Sequence, residues 1–173
     1  MPSNLPAKRI LSVVVYIAVA LVFAYILVER HPPTLAVGTR APIDEKISLL
    51  NEGKVSIGRL LTKPLLVNFW ASFCAPCLKE LPILAQMARK YRDRIGFLGL
   101  AVATDVNEII RLKNQLVIDY DLALVSDQMI DKWQARALPT SYIVNHQGII
   151  VWAKAGMVSK EELERVFKEV LTF

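Results

Sequence analysis

The sequence is poor in the residues that hold metals. It has two cysteines, Cys74 and Cys77, and two histidines, His31 and His146, among 173 residues. A closed zinc site wants four such ligands, and no second Cys/His cluster exists to complete one around the cysteine pair. A metal site shared between two subunits, or a module that passes copper or zinc on, is the form of metal chemistry left open. Long basic runs are missing too, as is any interleaving of basic with aromatic residues. The net charge of +5 and the pI near 9.3 therefore describe a solvated surface, not a nucleic-acid partner. Attraction to anionic lipid heads is a further use for that charge. There is no internal repeat and no low-complexity segment. What remains is a chain long enough for one domain with a real core, plus an appendage.

The appendage is residues 10–28, apolar throughout except for Ser12 and the amphipathic Tyr16 and Tyr25. About nineteen residues make roughly 28 Å of helix, enough to span a bilayer. The run is too long for a signal-peptide core, and no small-x-small cleavage site closes it. Lys8 and Arg9 precede it, whereas Glu29 and Arg30 nearly cancel after it. The positive-inside rule then leaves residues 1–9 cytoplasmic and exports the rest, with residues 10–28 as an uncleaved signal-anchor. Residues 29–37, which contain His31-Pro32-Pro33-Thr34, cannot form a regular helix and read as a short stiff tether to a domain over 38–173. The lone His31 is a polar boundary residue.

Within that domain, Leu65-Leu66-Val67 is an apolar run of the kind that makes a buried strand. Leu81, Leu84, Ala85, Ala88 and Tyr91 recur at helical spacing just downstream. Cys74 and Cys77 lie between, where strand hands over to helix. A thiol attacks a disulfide as thiolate, and the free N–H groups and positive dipole end of a helix stabilise that charge. Cys74 is the expected exposed nucleophile with a lowered pKa, and Cys77, one turn on and more buried, the resolving thiol. Pro76 suits the first turn, where a missing N–H costs little. A purely structural disulfide is disfavoured, because closing a four-residue loop removes little chain entropy.

The remaining chain reads as alternating elements. Residues 47–50 and 55–57 flank Asn51-Glu52-Gly53-Lys54, a hairpin-like turn. Residues 95–103 form a second apolar strand. Asp105 caps a helix with Glu108 in capping-box position, and Ile109, Leu112 and Leu116 give it one buried face. A short strand at 122–125 and a helical turn at 129–133 lead to Pro139. Residues 140–144 and 149–154 form a hairpin through a turn in which His146 has no further role. Ser159 caps a last helix whose stripe is Leu163, Val166, Phe167, Val170 and Leu171. The sum is an α/β sandwich.

The segment Trp70-Ala71-Ser72-Phe73-Cys74-Ala75-Pro76-Cys77 resembles the active site of the thioredoxin superfamily. Glu80 and Pro82 narrow the resemblance to the membrane-anchored TlpA/ResA/CcmG-type oxidoreductases of cytochrome c biogenesis. Leu138-Pro139-Thr140-Ser141-Tyr142-Ile143-Val144, followed by Gly148, is a second matching piece. The resemblance implies a thioredoxin fold: a central mixed sheet flanked by helices, an N-terminal β extension, and a central insertion over residues 105–116. It implies a redox-active Cys74–Cys77 pair with no cofactor or metal, and a cis Pro139 facing the cysteines and keeping a backbone edge for substrate peptide. Glu80 would be an active-site residue; the alternative is a surface glutamate paired with Lys79 or Lys90. Trp70 would pack beside the disulfide or serve only the core, and Pro82 would kink the helix. The implied clients are exported protein disulfides, apocytochrome c foremost. Electrons would come from a membrane thiol donor of the CcdA or DsbD kind, and the site is the outer side of a bacterial cytoplasmic membrane. A general oxidant, isomerase or reductase for other exported proteins is the nearest alternative. Two positions depart from thioredoxin itself. Asn68 stands where a buried aspartate is usual and cannot accept a proton, which shifts that burden toward Glu80 or water. Phe73 replaces a tryptophan, keeping an apolar lip without the N–H.

Overall fold

The computed structural model describes residues 7–28 and 34–172. Residues 1–6, the tether positions 29–33 with His31, and Phe173 lie outside the described residues. The chain divides into two compact units, Met1–Pro32 and Pro33–Phe173. Among its described residues the first contains one helix, α1 (Ala7–Val28). Every side chain described on it, residues 11–24, is exposed. Among the described residues no helix is long and apolar enough to cross a membrane, so the structure does not establish the expected span over 10–28.

The second unit is built on a seven-stranded sheet. In chain order it holds β1 (Lys46–Leu49), β2 (Gly53–Ser56), a 3-10 turn (Ile57–Leu60), β3 (Leu65–Trp70) and α2 (Ala75–Tyr91). Then come β4 (Gly96–Val102), α3 (Val106–Gln115), β5 (Asp121–Val125) and α4 (Asp127–Trp133). β6 (Thr140–Val144), β7 (Ile150–Ala155) and α5 (Lys160–Val170) complete it. The strand order is β2-β1-β5-β4-β3-β6-β7. β3, β4 and β5 run parallel, while β6, β7, β1 and β2 pair antiparallel, so the sheet is mixed as expected. β3 is central and buried on both faces, which is why Leu65-Leu66-Val67 lacks polar alternation.

Alternation along β3 sorts the core into two layers. Leu66 and Trp70 face α2, α3 and α5, packing with Leu81, Leu84, Ile109, Leu163 and Phe167. Val67 and Phe69 face α4 and the β1–β2 side, where Trp133 packs against Phe69 at 5.7 Å and Tyr142 at 5.3 Å between ring centroids. The Tyr142 hydroxyl donates to the Trp133 carbonyl at 2.5 Å, which satisfies a polar group the layer would otherwise strand.

Several expectations move by one or two residues for local reasons. The β1–β2 turn is shorter than 51–54, because Gly53, at φ +77°, already pairs with Leu49. Ile57 begins the 3-10 turn instead of extending β2. Asp105 caps α3 through the Asn107 N–H, but Glu108 spends its carboxylate on Arg111 and forms no reciprocal box. Ser159 caps α5 at the Glu162 N–H. α2 runs through an exposed Pro82 as one helix. α3 occupies the stretch 105–116 where an insertion is expected, and β5 after it separates the β1–β2 hairpin from β4, so the hairpin joins the sheet only through β5.

Gly99 on β4 lets these layers close. A Cβ there would meet Leu122 Cδ2 at 2.5 Å and Trp70 Nε1 at 3.2 Å. Gly99→Ala is expected to destabilise the protein by about 1–3 kcal/mol through overpacking, read as a lower denaturation midpoint with an unchanged m-value.

Candidate active site

Parallel strands deliver their C-terminal ends to one edge, and β3 delivers residues 71–74 there. Cys74 is the N-cap of α2, with extended backbone, and its sulfur accepts from the Cys77 N–H at 3.3 Å. Pro76 sits in the first turn, where no intrahelical donor is lost. The two cysteines form a disulfide. Cys74 is half-buried and Cys77 fully buried, the asymmetry an attacking and a resolving thiol need. Phe73 stands 72% exposed beside Cys74, an apolar lip as expected. The strand-to-helix turn is fixed from β4, since the Ser72 N–H donates to Thr104 Oγ1 at 3.1 Å and that hydroxyl donates to the Val102 carbonyl at 2.8 Å.

Pro139 opens β6 on the same edge, and the Leu138–Pro139 bond is cis. Its carbonyl accepts from the Gly156 N–H at 2.7 Å, which ties the start of β6 to the segment between β7 and α5. Trp70 is fully buried in the layer that holds Cys77, with its indole over Gly99; its place is in the core beneath the pair.

Glu80 is the one buried carboxylate among the described residues, at 0% exposure. The surface alternative is thereby excluded: Lys90 pairs instead with Glu164 at 2.6 Å. Glu80 Oε1 accepts from the Val158 N–H at 2.7 Å, and Oε2 accepts from Asn68 Nδ2 at 2.9 Å. The same amide nitrogen donates to Ser141 Oγ at 2.9 Å, across the β3–β6 register that sets Asn68 opposite Ser141. Burial pushes the Glu80 carboxyl up to about 7, against the opposing pull of its two hydrogen bonds and of Lys154. A carboxyl poised there, one turn beyond Cys77, is suited to exchange a proton with a buried thiol near neutrality.

The sequence points to Cys74, Cys77, Glu80, Pro139 and Trp70, and the structure places all five at this end of β3 and β6 or directly beneath it. It adds Ser141, the Val158 N–H and Thr104. Alternation along β6 puts residue 141 on the α2 side, yet only the β3–β6 register reveals that Asn68 meets it. His146 is exposed in the β6–β7 turn, far along β6 from Pro139, and joins nothing here. Among the described residues no group of three or more His, Cys, Asp or Glu side chains could hold a metal ion.

Comparison with known proteins gives a consistent set of likenesses. The AhpC/TSA family profile matches residues 37–153. The thiol-disulfide oxidoreductase ResA of Bacillus anthracis is 28% identical over 139 residues, covering 79% of this chain and 79% of the relative. The thioredoxin-like protein YneN of Bacillus subtilis (strain 168) is 28% identical over 134 residues, covering 74% of this chain and 76% of the relative. The crystal structure of a thioredoxin-family thiol:disulfide interchange protein from Chlorobium tepidum TLS matches with a TM-score of 0.69 at 24% identity, over 79% of this chain and 98% of that one. That likeness is one of fold.

A carboxyl whose folded-state pKa is raised binds a proton in the folded protein that the unfolded chain has already released, so stability falls as pH rises through that window. The window here runs from the ordinary value of 4.5 to about 7. Glu80→Gln, isosteric and able to accept from Val158, is expected to remove that decline. Denaturant titration of the oxidised protein at pH 5 and pH 8 should show the wild type losing on the order of 3 kcal/mol more than the variant.

Proposed function

This chain belongs to the AhpC/TSA family, and on that premise we propose that it is a membrane-tethered thiol–disulfide oxidoreductase that reduces the disulfides of apocytochrome c outside the cytoplasm. The observation that carries the redox reading is the Cys74–Cys77 disulfide at the N-terminus of α2, with Cys74 half-buried and Cys77 fully buried a turn from Glu80. The ResA relatives are named thiol-disulfide oxidoreductases, which supports the same activity here. The resemblance of the Cys-x-x-Cys-x-x-Glu-x-Pro segment to the cytochrome c biogenesis group supports the client. The apolar run at 10–28 behind Lys8 and Arg9 supports the anchor and its orientation, N-terminus inside.

In the reducing direction Cys74 thiolate attacks one sulfur of the client disulfide. A Cys74–client bond forms and the other client sulfur leaves as thiolate. The helix N-terminus and the Cys77 N–H favour that thiolate before attack. Cys77 then gives its proton to the Glu80 carboxylate and attacks Cys74 Sγ, releasing the second client thiolate. Two electrons have passed from the protein dithiol to the client, and the Cys74–Cys77 disulfide remains. A membrane thiol donor of the CcdA or DsbD kind returns them by the same exchange. β6 is paired on both sides, by β3 and β7, so an extended client segment would pair with the backbone just ahead of it, beside the cis Leu138–Pro139 bond.

Replacing Cys77 with alanine removes the resolving thiol and leaves Cys74 to hold its client. Mass spectrometry of the trapped mixed disulfides is expected to recover apocytochrome c joined through its haem-binding cysteines. Recovery of unrelated exported proteins alone would overturn the client assignment while leaving the exchange chemistry intact. A reduced wild-type chain that binds copper or zinc without reducing any disulfide would overturn the chemistry itself.

A further inference from the structure

The hydrogen bonds around Glu80 fit only one of its two protonation states, and the misfit lies on Asn68. A carboxylate accepts and cannot donate, so the Asn68 amide turns its nitrogen to Glu80, and that nitrogen also serves Ser141 Oγ at 2.9 Å. The amide oxygen, Asn68 Oδ1, is left buried without a partner. An unpaired buried acceptor is costly, and here it is what the anion imposes on its neighbour. If Glu80 takes up a proton at Oε2, that oxygen becomes a donor facing a donor.

A half-turn of the Asn68 amide turns that donor–donor clash into a hydrogen bond and carries the amide N–H pair to the place the unpartnered oxygen now holds. Its oxygen would then accept from Glu80 Oε2–H on one side. On the other it would accept from Ser141, whose hydroxyl can donate as readily as it accepts. Val158 keeps its bond to Glu80 Oε1 in both arrangements. No carboxyl, amine or methyl at position 141 could serve both orientations, whereas a hydroxyl can. We propose that Asn68 and Ser141 form an amide–hydroxyl switch that reverses its hydrogen-bond direction when Glu80 is protonated, which makes both of them positioning residues for thiol–disulfide exchange. The inference rests on the exchange reading of the Cys74–Cys77 pair. The proton that turns the switch is the one Cys77 loses on becoming a thiolate, and the reverse turn returns it.

Other groups around Glu80 set the background of this titration without forming part of the switch. Lys154 on β7 favours the anion, and Glu162 on α5 opposes it. These two pair with each other. The buried Tyr120 phenol, ahead of β5, feels the Glu80 charge and stays protonated. Ser141 lies two residues beyond Pro139, so the switch reaches from the buried thiol to the strand that follows the cis proline.

The test uses the oxidised full chain in detergent micelles, labelled with 13C-Glu and 15N-Asn, where the cysteines do not titrate and no client is needed. Above the Glu80 midpoint, Asn68 side-chain amide protons are expected to show nuclear Overhauser contacts to Ser141. Below it those contacts are lost, with the same midpoint as the Glu80 carboxyl carbon. Ser141→Ala strands an amide N–H beside the anion and is expected to raise the proton affinity of Glu80 by about tenfold. The acid limb of the exchange-rate profile should move with it, and Ser141→Thr should restore both. Amide contacts to Ser141 that persist below the Glu80 midpoint, or an unchanged midpoint in Ser141→Ala, would overturn the switch. Neither result depends on which protein is the client.

Discussion

A carboxylate can be buried only where enough donors converge on it, and at Glu80 the chain brings them from two directions. α2 carries the acid, β3 supplies the Asn68 amide, and the segment before α5 supplies the Val158 N–H. β6 enters through Ser141, which shares the Asn68 nitrogen. Breaking one of these contacts in the core would leave a charge or a donor unpaired, a cost of several kcal/mol by the usual magnitudes. The same contacts therefore pin together the helix that presents the cysteines, the strand that opens with Pro139, and the loop bonded to the Pro139 carbonyl. One buried acid fixes the position of the cysteine-bearing helix relative to the cis Pro139.

The asymmetry of the two thiols follows from the same arrangement. Cys74 caps the helix, half-exposed, with an N–H directed at its sulfur; Cys77 lies a turn deeper, fully buried, in the layer with Trp70 and Leu81. Burial disfavours a charged sulfur and a helix N-terminus favours it, so the two environments separate the thiols into attacking and resolving partners. Glu80, one turn beyond Cys77 and with its carboxyl pushed up to about 7 by burial, is the ionisable side chain set beside the deeper thiol. The aromatic layer on the other face, Phe69, Trp133 and Tyr142, carries no such chemistry and serves to hold β3 and β6 in register.

Much of this was legible in the residues themselves. The apolar run before Cys74 and the helical spacing after it place the pair at a strand–helix junction, because burial patterns report local structure directly. The stripe on α2 is buried at the positions its spacing indicates, and that on α5 is buried at Leu163, Val166 and Phe167, with Val170 and Leu171 partly buried at its end. What was not legible is whatever depends on which strands become neighbours. Asn68 and Ser141 are 73 residues apart and meet only through the β3–β6 register. Whether Glu80 is buried or solvated depends on where α5 and its preceding loop pack, which no helical pattern in α2 decides. β5 reads locally as a short strand, but its insertion between β1 and β4 is a matter of topology. Glu108 shows the reverse limit, since a capping-box spacing did not outweigh a nearby arginine.

In the proposed reaction Cys74 and Cys77 interconvert dithiol and disulfide at a potential suited to donating electrons. The midpoint potential of that couple in the full chain, measured in dithiothreitol and glutathione buffers at pH 7, tests it most directly. A value near or below the thioredoxin range, roughly −250 mV or lower, is the expected result for a reductant with its own electron supply. A value near roughly −120 mV would mark an oxidant and contradict the account, as would a pair that forms no disulfide at any poise.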